Sequence, residues 1–229
     1  MAHSFLRSLM EPDCVPAVYL VGIVDDRSHE KSSIAEVLAG YFQRQKKVTI
    51  IPFEAFRKPD VACPFACEAR AYDFDMLFNC LSALKAAKSY TFPDGKILEH
   101  SEVMIIEGLH AFFDPRTRPL YDAKVFVDVD NDVRLSSIIK RATKEGENIE
   151  EVLTNYHKYI KPVYDGEMKS QRAYADTVLV GGLSNMNAVR LLVDRIAQVL
   201  MLSLSRSNSP KSSMRIIEEV AEDAEENKQ

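Results

Sequence analysis

The sequence predicts an α/β fold in which helices cover both faces of a doubly wound, mostly parallel β-sheet. Short runs of β-branched and aromatic residues alternate along the chain with segments of helical periodicity. Several of these runs are apolar on consecutive residues, as expected of strands that are covered on both faces. The length of 229 residues fits one large domain of this kind, with a small appended lid.

Each element follows from its own pattern, beginning with a continuous apolar run over residues 17–24 that predicts a central strand. A helical pattern follows over residues 34–41. Further strands are predicted at residues 48–53, 103–107, 124–128 and 177–180, and further helices at residues 73–87, 130–144, 149–160 and 185–202. Ligands of such sheets bind beyond the carboxyl ends of the strands, where residues 25–32, 53–57 and 107 are expected to converge.

The composition divides the chain into a core and two terminal segments. The core is predicted at residues 17–203, with the lid at about residues 134–165. Residues 1–16 form an N-terminal extension, and residues 204–229 are Ser-rich and then acidic. That tail is predicted to be disordered or partly helical, because it has little apolar surface to bury.

Charge and hydropathy exclude several classes of function. A net charge of −5, with acids and bases interspersed, argues against a general nucleic-acid binder. No apolar stretch reaches the roughly 20 residues that cross a bilayer. A cytoplasmic protein is favoured, although residues 1–10 weakly resemble an organelle-targeting start. The four cysteines are Cys14, Cys63, Cys67 and Cys80. Cys63 and Cys67 form a CxxxC pair, but no second pair of metal ligands lies nearby, so all four are predicted to be reduced thiols and not zinc ligands.

The first predicted strand leads into LVGIVDDRSHEKSS, which resembles a phosphate-binding loop with damaged glycine positions. The motif GxxxxGK[ST] cradles phosphate with backbone N–H groups, its Lys contacts phosphate and its hydroxyl binds Mg²⁺. Lys31 and Ser32 match this motif, whereas Asp25 and Glu30 occupy the two glycine positions. An ordinary helix N-terminus with Ser28 as its cap is the alternative interpretation.

The two acids are expected to weaken nucleotide binding. A carboxylate ~4 Å from a phosphate oxygen is repelled by roughly 4 kcal/mol at an effective dielectric of ~20, which corresponds to about 1000-fold in affinity. Backbone conformations that glycine accepts freely also cost other residues roughly 1–2 kcal/mol each. Three alternatives stay open: Glu30 rotates away, Asp25 binds Mg²⁺ in a different way, or Lys31 only pairs with a neighbouring acid.

Two long segments carry a resemblance to a known family. VMIIEGLHAFFDPRTRPLYDAKVFVDVDNDVRLSSIIKR, at residues 103–141, is similar to the core of the uridine/cytidine kinases, within the phosphoribulokinase-like P-loop kinases. The similarity continues over residues 148–182. The resemblance implies a P-loop NTPase-like fold with a helical lid. It also implies transfer of phosphate from ATP, with Mg²⁺, to the 5′-hydroxyl of a nucleoside.

The resemblance also assigns roles to individual residues. Glu54 is the candidate base, in place of the family's Asp, while Lys31 and Arg141 are the remaining catalytic cations. The implied nucleotide-binding residues are Gly22, Lys31, Ser32 and Ser33. Ser32 and Glu107 are the implied Mg²⁺ ligands, and Arg70 and Tyr72 are the implied substrate contacts. Asp25 and Glu30 are the residues expected to disable the loop.

Several departures from the family pattern fall on the acceptor side and the lid. Arg70 stands where the family places a ribose-binding Asp, and residues 90–100 leave little room for the hairpin that covers the base, so we expect it shortened or absent. Most lid cations are replaced, except Arg141. His110, His157 and three lid tyrosines are predicted to serve packing or to lie exposed; the tyrosines are Tyr156, Tyr159 and Tyr164.

Three functions therefore fit the sequence. The favoured one is a uridine-kinase-like protein that has largely lost phosphorylation and acts as a binding, regulatory or structural subunit. ATP and Mg²⁺ are the expected cofactors of an active enzyme, and this favoured function needs neither. The second is a working uridine or cytidine kinase. The third is a kinase for another small hydroxylated metabolite, and Arg70 suits an anionic one. The resemblance also suggests a homo-oligomer, a hetero-oligomer with a paralogue, or membership of a larger assembly.

Overall fold

Five parallel strands form the central sheet of the protein. The structure, a computed structural model, describes residues 18–25, 33–44, 46–59, 61 and 68–200. The strands are β1 (Tyr19–Val24), β2 (Val48–Pro52), β5 (Val103–Glu107), β6 (Ala123–Asp128) and β7 (Thr177–Val180). Their order across the sheet is β2-β5-β1-β6-β7, with every neighbouring pair parallel. This arrangement confirms the predicted doubly wound α/β fold.

The helices connect the strands and cover both faces of the sheet. They are α1 (Ile34–Phe42), α2 (Phe74–Lys85), α3 (Asn131–Glu145), α4 (Ile149–Asn155), the single turn α5 (Lys161–Val163) and α6 (Met186–Val199). Most bounds differ from the predicted ones by one to three residues, as helix ends usually do. The helical region predicted over residues 149–160 is different in kind, because α4 passes into two π-helical turns, Tyr156–Ile160 and Tyr164–Met168.

Alternating residues of each strand contact different helix layers, because successive side chains of a strand point to opposite faces. Leu20, Met104 and Phe126 face a layer that includes α2 and the second π-helical turn. Val21 and Ile105 face the opposite layer, which contains α1 and α6. Both layers are apolar and buried, so the sheet is covered on its two sides and its carboxyl edge is the part left for a site.

A small antiparallel hairpin precedes β5. Its strands are β3 (Tyr90–Thr91) and β4 (Ile97–Leu98). The sequence led us to expect this hairpin shortened or absent, and the structure shows it present with strands of two residues each. Phe92 fixes it to the core, with its ring 5.8 Å from that of Phe56.

Other sequence predictions meet the described region only in part. Cys80 is a buried free thiol, and burial raises its pKa to about 12, so it stays protonated. The other three cysteines, the N-terminal extension and the tail lie outside the described residues. No helix in the described part of the chain is long and apolar enough to cross a membrane.

Candidate functional site

The carboxyl edge of the sheet brings together three acidic residues from three neighbouring strands. Glu107 ends β5, and the register pairs it with Ile23 of β1 and Pro52 of β2. Asp25 directly follows β1, and Glu54 lies in the 3₁₀ turn that follows β2. Asp25 and Glu107 are buried, at 3% and 4% exposure, whereas the Glu54 side chain is 58% exposed. These residues lie at the edge where the sequence predicts a site.

Gly108 allows β5 to turn close against the 3₁₀ turn after β2. A Cβ atom at this position would lie 2.3 Å from Cβ of Phe53. The backbone N–H of Gly108 donates to the carbonyl of Ile23 at 3.0 Å. Glu107, Gly108 and the segment with Glu54 are therefore held at fixed positions relative to one another, because a side chain at Gly108 would force them apart.

Gly22 lies inside β1 and serves packing. A Cβ atom there would lie 2.6 Å from Phe112 and 2.9 Å from Tyr121. The sequence assigned Gly22 to nucleotide binding, but its position before the end of the strand places it under these two aromatic rings. The packing alone accounts for glycine at this position, and the assignment of Gly22 to nucleotide binding stays a prediction.

The start of α1 is closed by its own side chains. Ser33 has an extended backbone, and its Oγ accepts a hydrogen bond from the N–H of Glu36 at 3.1 Å. The carboxylate of Glu36 in turn accepts from the N–H of Ser33 at 2.8 Å. This reciprocal pair is a capping box. Ser33, predicted as a nucleotide contact, is the N-cap, and it replaces Ser28, which the alternative interpretation named as the cap.

Glu54 and Tyr72 meet, although the sequence gave them separate roles. The Tyr72 hydroxyl donates to Oε1 of Glu54 at 2.5 Å. Tyr72 is 1% exposed, and its ring lies 4.8 Å from that of Phe53. Tyr72 therefore contacts the candidate base, and its predicted contact with substrate stays a prediction.

Arg70 projects into solvent at the same side of the molecule. It lies in the 3₁₀ turn Ala69–Ala71, its side chain is 71% exposed, and it forms an ion pair with Glu68. Lys58 reaches the same turn, where its Nζ donates to the Arg70 carbonyl at 3.4 Å. The Arg70 guanidinium is accessible to an anion, but only in competition with Glu68.

A buried polar network behind the edge was missed by the sequence analysis. The side-chain amide of Gln171, at 1% exposure, accepts from the N–H of Phe112 at 2.9 Å and donates to the carbonyl of Leu109 at 2.8 Å. Glu167 accepts from the N–H of Ala69 at 2.8 Å and lies 3.8 Å from Nε2 of the fully buried His110. Neither Glu167 nor Gln171 belongs to a spacing pattern that identifies such a role.

Two arginines of α3 differ sharply in burial. Arg134 is 1% exposed, donates to Asn131 at 2.6 Å and to the carbonyl of Val129 at 3.0 Å, and lies over the ring of Tyr164 at 3.2 Å. Arg134 therefore fixes α3 to the second π-helical turn. Arg141, the predicted lid cation, is exposed on α3 and forms no ion pair with any residue that the structure describes.

His157 is exposed, as predicted, and Tyr156 and Tyr164 are buried in packing roles. Tyr159 is half-buried beside Lys158, whose Nζ lies 5.0 Å from the ring centre. Tyr156 contacts the ring of His157, and Tyr164 packs under the guanidinium of Arg134. They belong to the helical layer and not to the acidic edge.

The described residues fit a bound nucleotide poorly at the start of α1. A phosphate at a helix N-terminus uses free backbone N–H groups and a favourable dipole. Here Ser33 and Glu36 occupy that end, and the buried Asp25 adds a carboxylate just after β1. Lys31, Ser32 and Glu30 lie outside the described residues, and within those residues no cluster of three or more acids, histidines or cysteines forms a preorganised metal site.

Comparisons with known proteins agree with this architecture. The chain is 28% identical over 200 residues to uridine kinase of Streptococcus pneumoniae strain Hungary19A-6. This alignment covers 79% of the present chain and 94% of the Streptococcus protein. Phosphoribulokinase of Rhodobacter spheroides superposes with a TM-score of 0.50 at 14% identity, over 72% of this chain and 71% of that one.

A second solved structure, from Silicibacter sp. TM1040, superposes more closely and bears on the fold alone. Its name proposes a kinase of a fructose transport system, and it gives a TM-score of 0.54 at 16% identity, over 76% of this chain and 95% of its own. The family model described as Phosphoribulokinase / Uridine kinase family matches residues 61–186. Since this match spans more than half of the chain, the protein belongs to the phosphoribulokinase / uridine kinase family.

Proposed function

We propose that this protein is a uridine-kinase-like pseudokinase, in which nucleoside phosphorylation is lost or strongly weakened and the retained scaffold has a binding, regulatory or structural role. The family supplies the ancestral activity, ATP-dependent phosphorylation of a nucleoside 5′-hydroxyl. The alterations that bear on this loss, Asp25 and Glu30, lie on the nucleotide side of the site.

The capping box at the start of α1 is the observation that carries this proposal. In a phosphate-binding loop the first N–H groups of the helix face the phosphates. In this chain one of those groups donates to Ser33, and the Glu36 carboxylate already occupies the helix end as an internal anion. A second anion at the same place would have to compete with Glu36 at a site of like charge.

Asp25 and Glu30 support the proposal independently. Phosphoryl transfer depends mostly on positioning and charge stabilisation, so acids next to the phosphates oppose both binding and catalysis. Asp25 is buried immediately after β1, where solvent screens its charge little. The loss of two glycines also removes backbone conformations that a phosphate cradle uses.

Thermal unfolding with and without saturating Mg-ATP tests the proposal. A ligand at ~100 times its dissociation constant stabilises a protein by about 2.7 kcal/mol. We expect no shift for this chain and a clear shift for the Streptococcus uridine kinase measured alongside. A shift in this chain comparable with that of the enzyme, or turnover of uridine, would refute the proposal.

A restoration experiment adds a gain-of-function arm. We expect the double variant Asp25→Gly with Glu30→Gly to show a larger Mg-ATP shift than the native chain, because two repulsive carboxylates are removed. The matched control is Glu99→Gly with Glu147→Gly, which removes the same charge at exposed positions. Equal responses of the two double variants would show that the loop acids do not limit nucleotide binding.

A working kinase is the second candidate, and it is favoured by the retained carboxylates Glu107 and Glu54 at the sheet edge. In that case Glu54 accepts the proton of the acceptor hydroxyl, Lys31 and Arg141 contact phosphate, and Ser32 and Glu107 would hold Mg²⁺. An Mg-ATP shift together with uridine turnover supports this candidate. The same shift without uridine turnover supports a kinase for another hydroxylated metabolite, for which the exposed Arg70 favours an anionic one.

The pseudokinase proposal includes its partners. We propose that the chain works in a homo-oligomer, a hetero-oligomer with a paralogue or a larger assembly, in the cytoplasm and without a nucleic-acid or membrane partner. Size-exclusion chromatography with light scattering on the purified chain distinguishes a monomer from an oligomer. A paralogue partner is tested by co-expression of this chain with the active enzyme of the same cell.

A further inference from the structure

The pair of Glu54 and Tyr72 leads to an inference about the acceptor side of the site. The inference rests on the proposed function, because it takes the acceptor side to be kept after nucleotide binding is weakened. We infer that Tyr72 is a positioning residue, whose buried hydroxyl holds one oxygen of Glu54 so that the other is presented to a hydroxyl group of a small polyhydroxylated ligand.

Tyr72 has little freedom to move. Its ring is 1% exposed and packs against the rings of Phe53, at 4.8 Å, and His110, at 5.6 Å. A phenol hydroxyl carried into such a core needs a hydrogen-bond partner. The hydroxyl therefore has a fixed location, and the bond of 2.5 Å to Glu54 starts from a rigid point.

The backbones of the two residues are also fixed to each other. Arg57 and Tyr72 form an isolated antiparallel bridge. The N–H of Lys58 donates to the carbonyl of Ala71 at 2.9 Å, and the N–H of Asp73 donates to that of Phe56 at 2.8 Å. These bonds tie the turn that carries Glu54 to the segment that carries Tyr72, so the pair moves as one unit.

Glu54 is otherwise a solvent-exposed side chain, with 58% of its surface exposed. An exposed glutamate samples several rotamers, and fixing one of them for a ligand costs conformational entropy. The bond from Tyr72 selects one rotamer before any ligand arrives. Preorganisation of this kind raises affinity by lowering the cost of binding.

The second oxygen of Glu54 is the one left for a ligand. Arg57 Nη1 forms an ion pair with Oε2 at 4.0 Å, which is beyond hydrogen-bond distance, so a ligand donor at Oε2 competes only with this long contact among the described residues. A carboxylate oxygen is an acceptor, so the group it recognises is a donor such as a hydroxyl. The ligand therefore carries a hydroxyl donor for Oε2, and a nucleoside and a sugar are the probes that follow from the proposed function.

Calorimetric titration of the full chain with uridine and with ribose, in the absence of ATP, tests the inference. The variants are Tyr72→Phe, which keeps the ring and removes the hydroxyl, and Glu54→Gln, which removes the charged acceptor. The matched control is Tyr174→Phe, at an exposed tyrosine that stacks on Arg118 away from Glu54. We expect Glu54→Gln to weaken binding at least about tenfold and Tyr72→Phe about three- to tenfold, where tenfold corresponds to 1.4 kcal/mol.

The unfolding temperature separates positioning from a merely structural role. Affinities are compared at a temperature at which all variants are folded. A structural tyrosine would lower the unfolding temperature on substitution by Phe and leave the affinity unchanged, which would overturn the inference. Binding of neither uridine nor ribose by the native chain at millimolar concentration would also overturn it. An Mg-ATP shift in the native chain would refute the proposed function but leave the comparison of Tyr72→Phe with the native chain intact.

Discussion

Single residues at the sheet edge have roles that depend on how closely the chain approaches itself. Gly22 lies in the middle of β1, and Gly108 directly follows β5. Packing explains why each position is glycine without reference to a ligand. Each lies where a Cβ atom would overlap an aromatic residue. The sequence assigned Gly22 to nucleotide binding because it lies next to the loop motif, and packing gives a second reason for glycine at this position.

Gly108→Ala is expected to destabilise the fold strongly. Its Cβ would overlap Cβ of Phe53, an atom next to the backbone that cannot rotate away, and overpacking of this kind costs about 1–3 kcal/mol or more. The free energy of unfolding in urea measures the loss. Gly166→Ala is the control, because nothing lies within 4 Å of its Cβ position. Equal stabilities for the two variants would contradict the close approach.

Asp114 gives the protein a stability component that depends on pH. Burial acts to raise the pKa of this carboxyl, but hydrogen bonds and the charge of Arg116 outweigh it and hold the pKa below its usual range. A carboxyl with a lowered pKa in the folded state stabilises the fold above its unfolded pKa of about 4. That stabilisation is lost as the pH falls from about 4 through the folded-state pKa.

The measurement is the unfolding temperature from pH 6 down to pH 2. We expect Asp114→Asn to show a smaller decrease below pH 4 than the native chain, by about 2–4 °C in unfolding temperature. Asp194→Asn, at an exposed position of α6, is the control and should follow the native curve. Parallel curves for Asp114→Asn and the native chain would exclude the contribution of Asp114.

At the scale of elements, the loop after β5 is held by a side chain from a distant part of the chain. Gln171 bonds to the backbone of Leu109 and Phe112 and so supports the turn that follows Glu107. Gln171→Leu keeps the size of the side chain but leaves a buried N–H and a buried carbonyl without that partner. The expected loss is about 2–5 kcal/mol, since each unsatisfied buried group costs about 1–3 kcal/mol.

Chemical denaturation and amide hydrogen exchange together check this prediction. The exchange of the Phe112 amide should become faster in Gln171→Leu, because its acceptor is removed. Gln198→Leu, at an exposed position of α6, is the matched control. A slow Phe112 amide in Gln171→Leu would mean that the loop is held by other contacts.

Elements differ in how well the sequence predicts them, for physical reasons. Strands β1 and β5 are predictable because their buried apolar runs have few alternatives. The capping box of Ser33 and Glu36 has a readable pattern, Ser-x-x-Glu before an apolar run, which the resemblance to a phosphate loop obscured. The π-helical turns were not predictable, because a helical period of 3.6 cannot show where single residues are inserted.

The candidate site was predictable in its location but less so in its contacts. The ends of β1, β2 and β5 follow from the α/β pattern, so Glu107 and residues 53–57 were expected at one edge. The bond between Glu54 and Tyr72 depends on the angle between two 3₁₀ turns, which has no local signal in the sequence. Gln171 likewise acts across 59 residues of chain, on Phe112.

At the scale of the whole molecule, the two core layers define how much of the chain is needed to fold. They include buried residues from Val18 to Leu200, among them the five apolar residues of α6 that contact the sheet side. Residues beyond 203 are Ser-rich and then acidic, a composition that offers little apolar surface to a core. The folded domain is therefore expected to extend over residues 17–203.

A chain shortened to residues 17–203 tests this boundary. We expect its unfolding temperature to lie within about 2 °C of that of the full chain, because less than about 1 kcal/mol of stability is removed. The matched control ends at residue 192, which removes Val193 and Ile196 from the core and should unfold at a much lower temperature or fail to fold. If the chain of residues 17–203 is destabilised as much as that control, the terminal segments contribute to the core and the domain is larger than its described part indicates. If it keeps its stability, the acidic tail is left for a role outside the fold, and the oligomeric state of the shortened chain then shows whether the tail contributes to assembly.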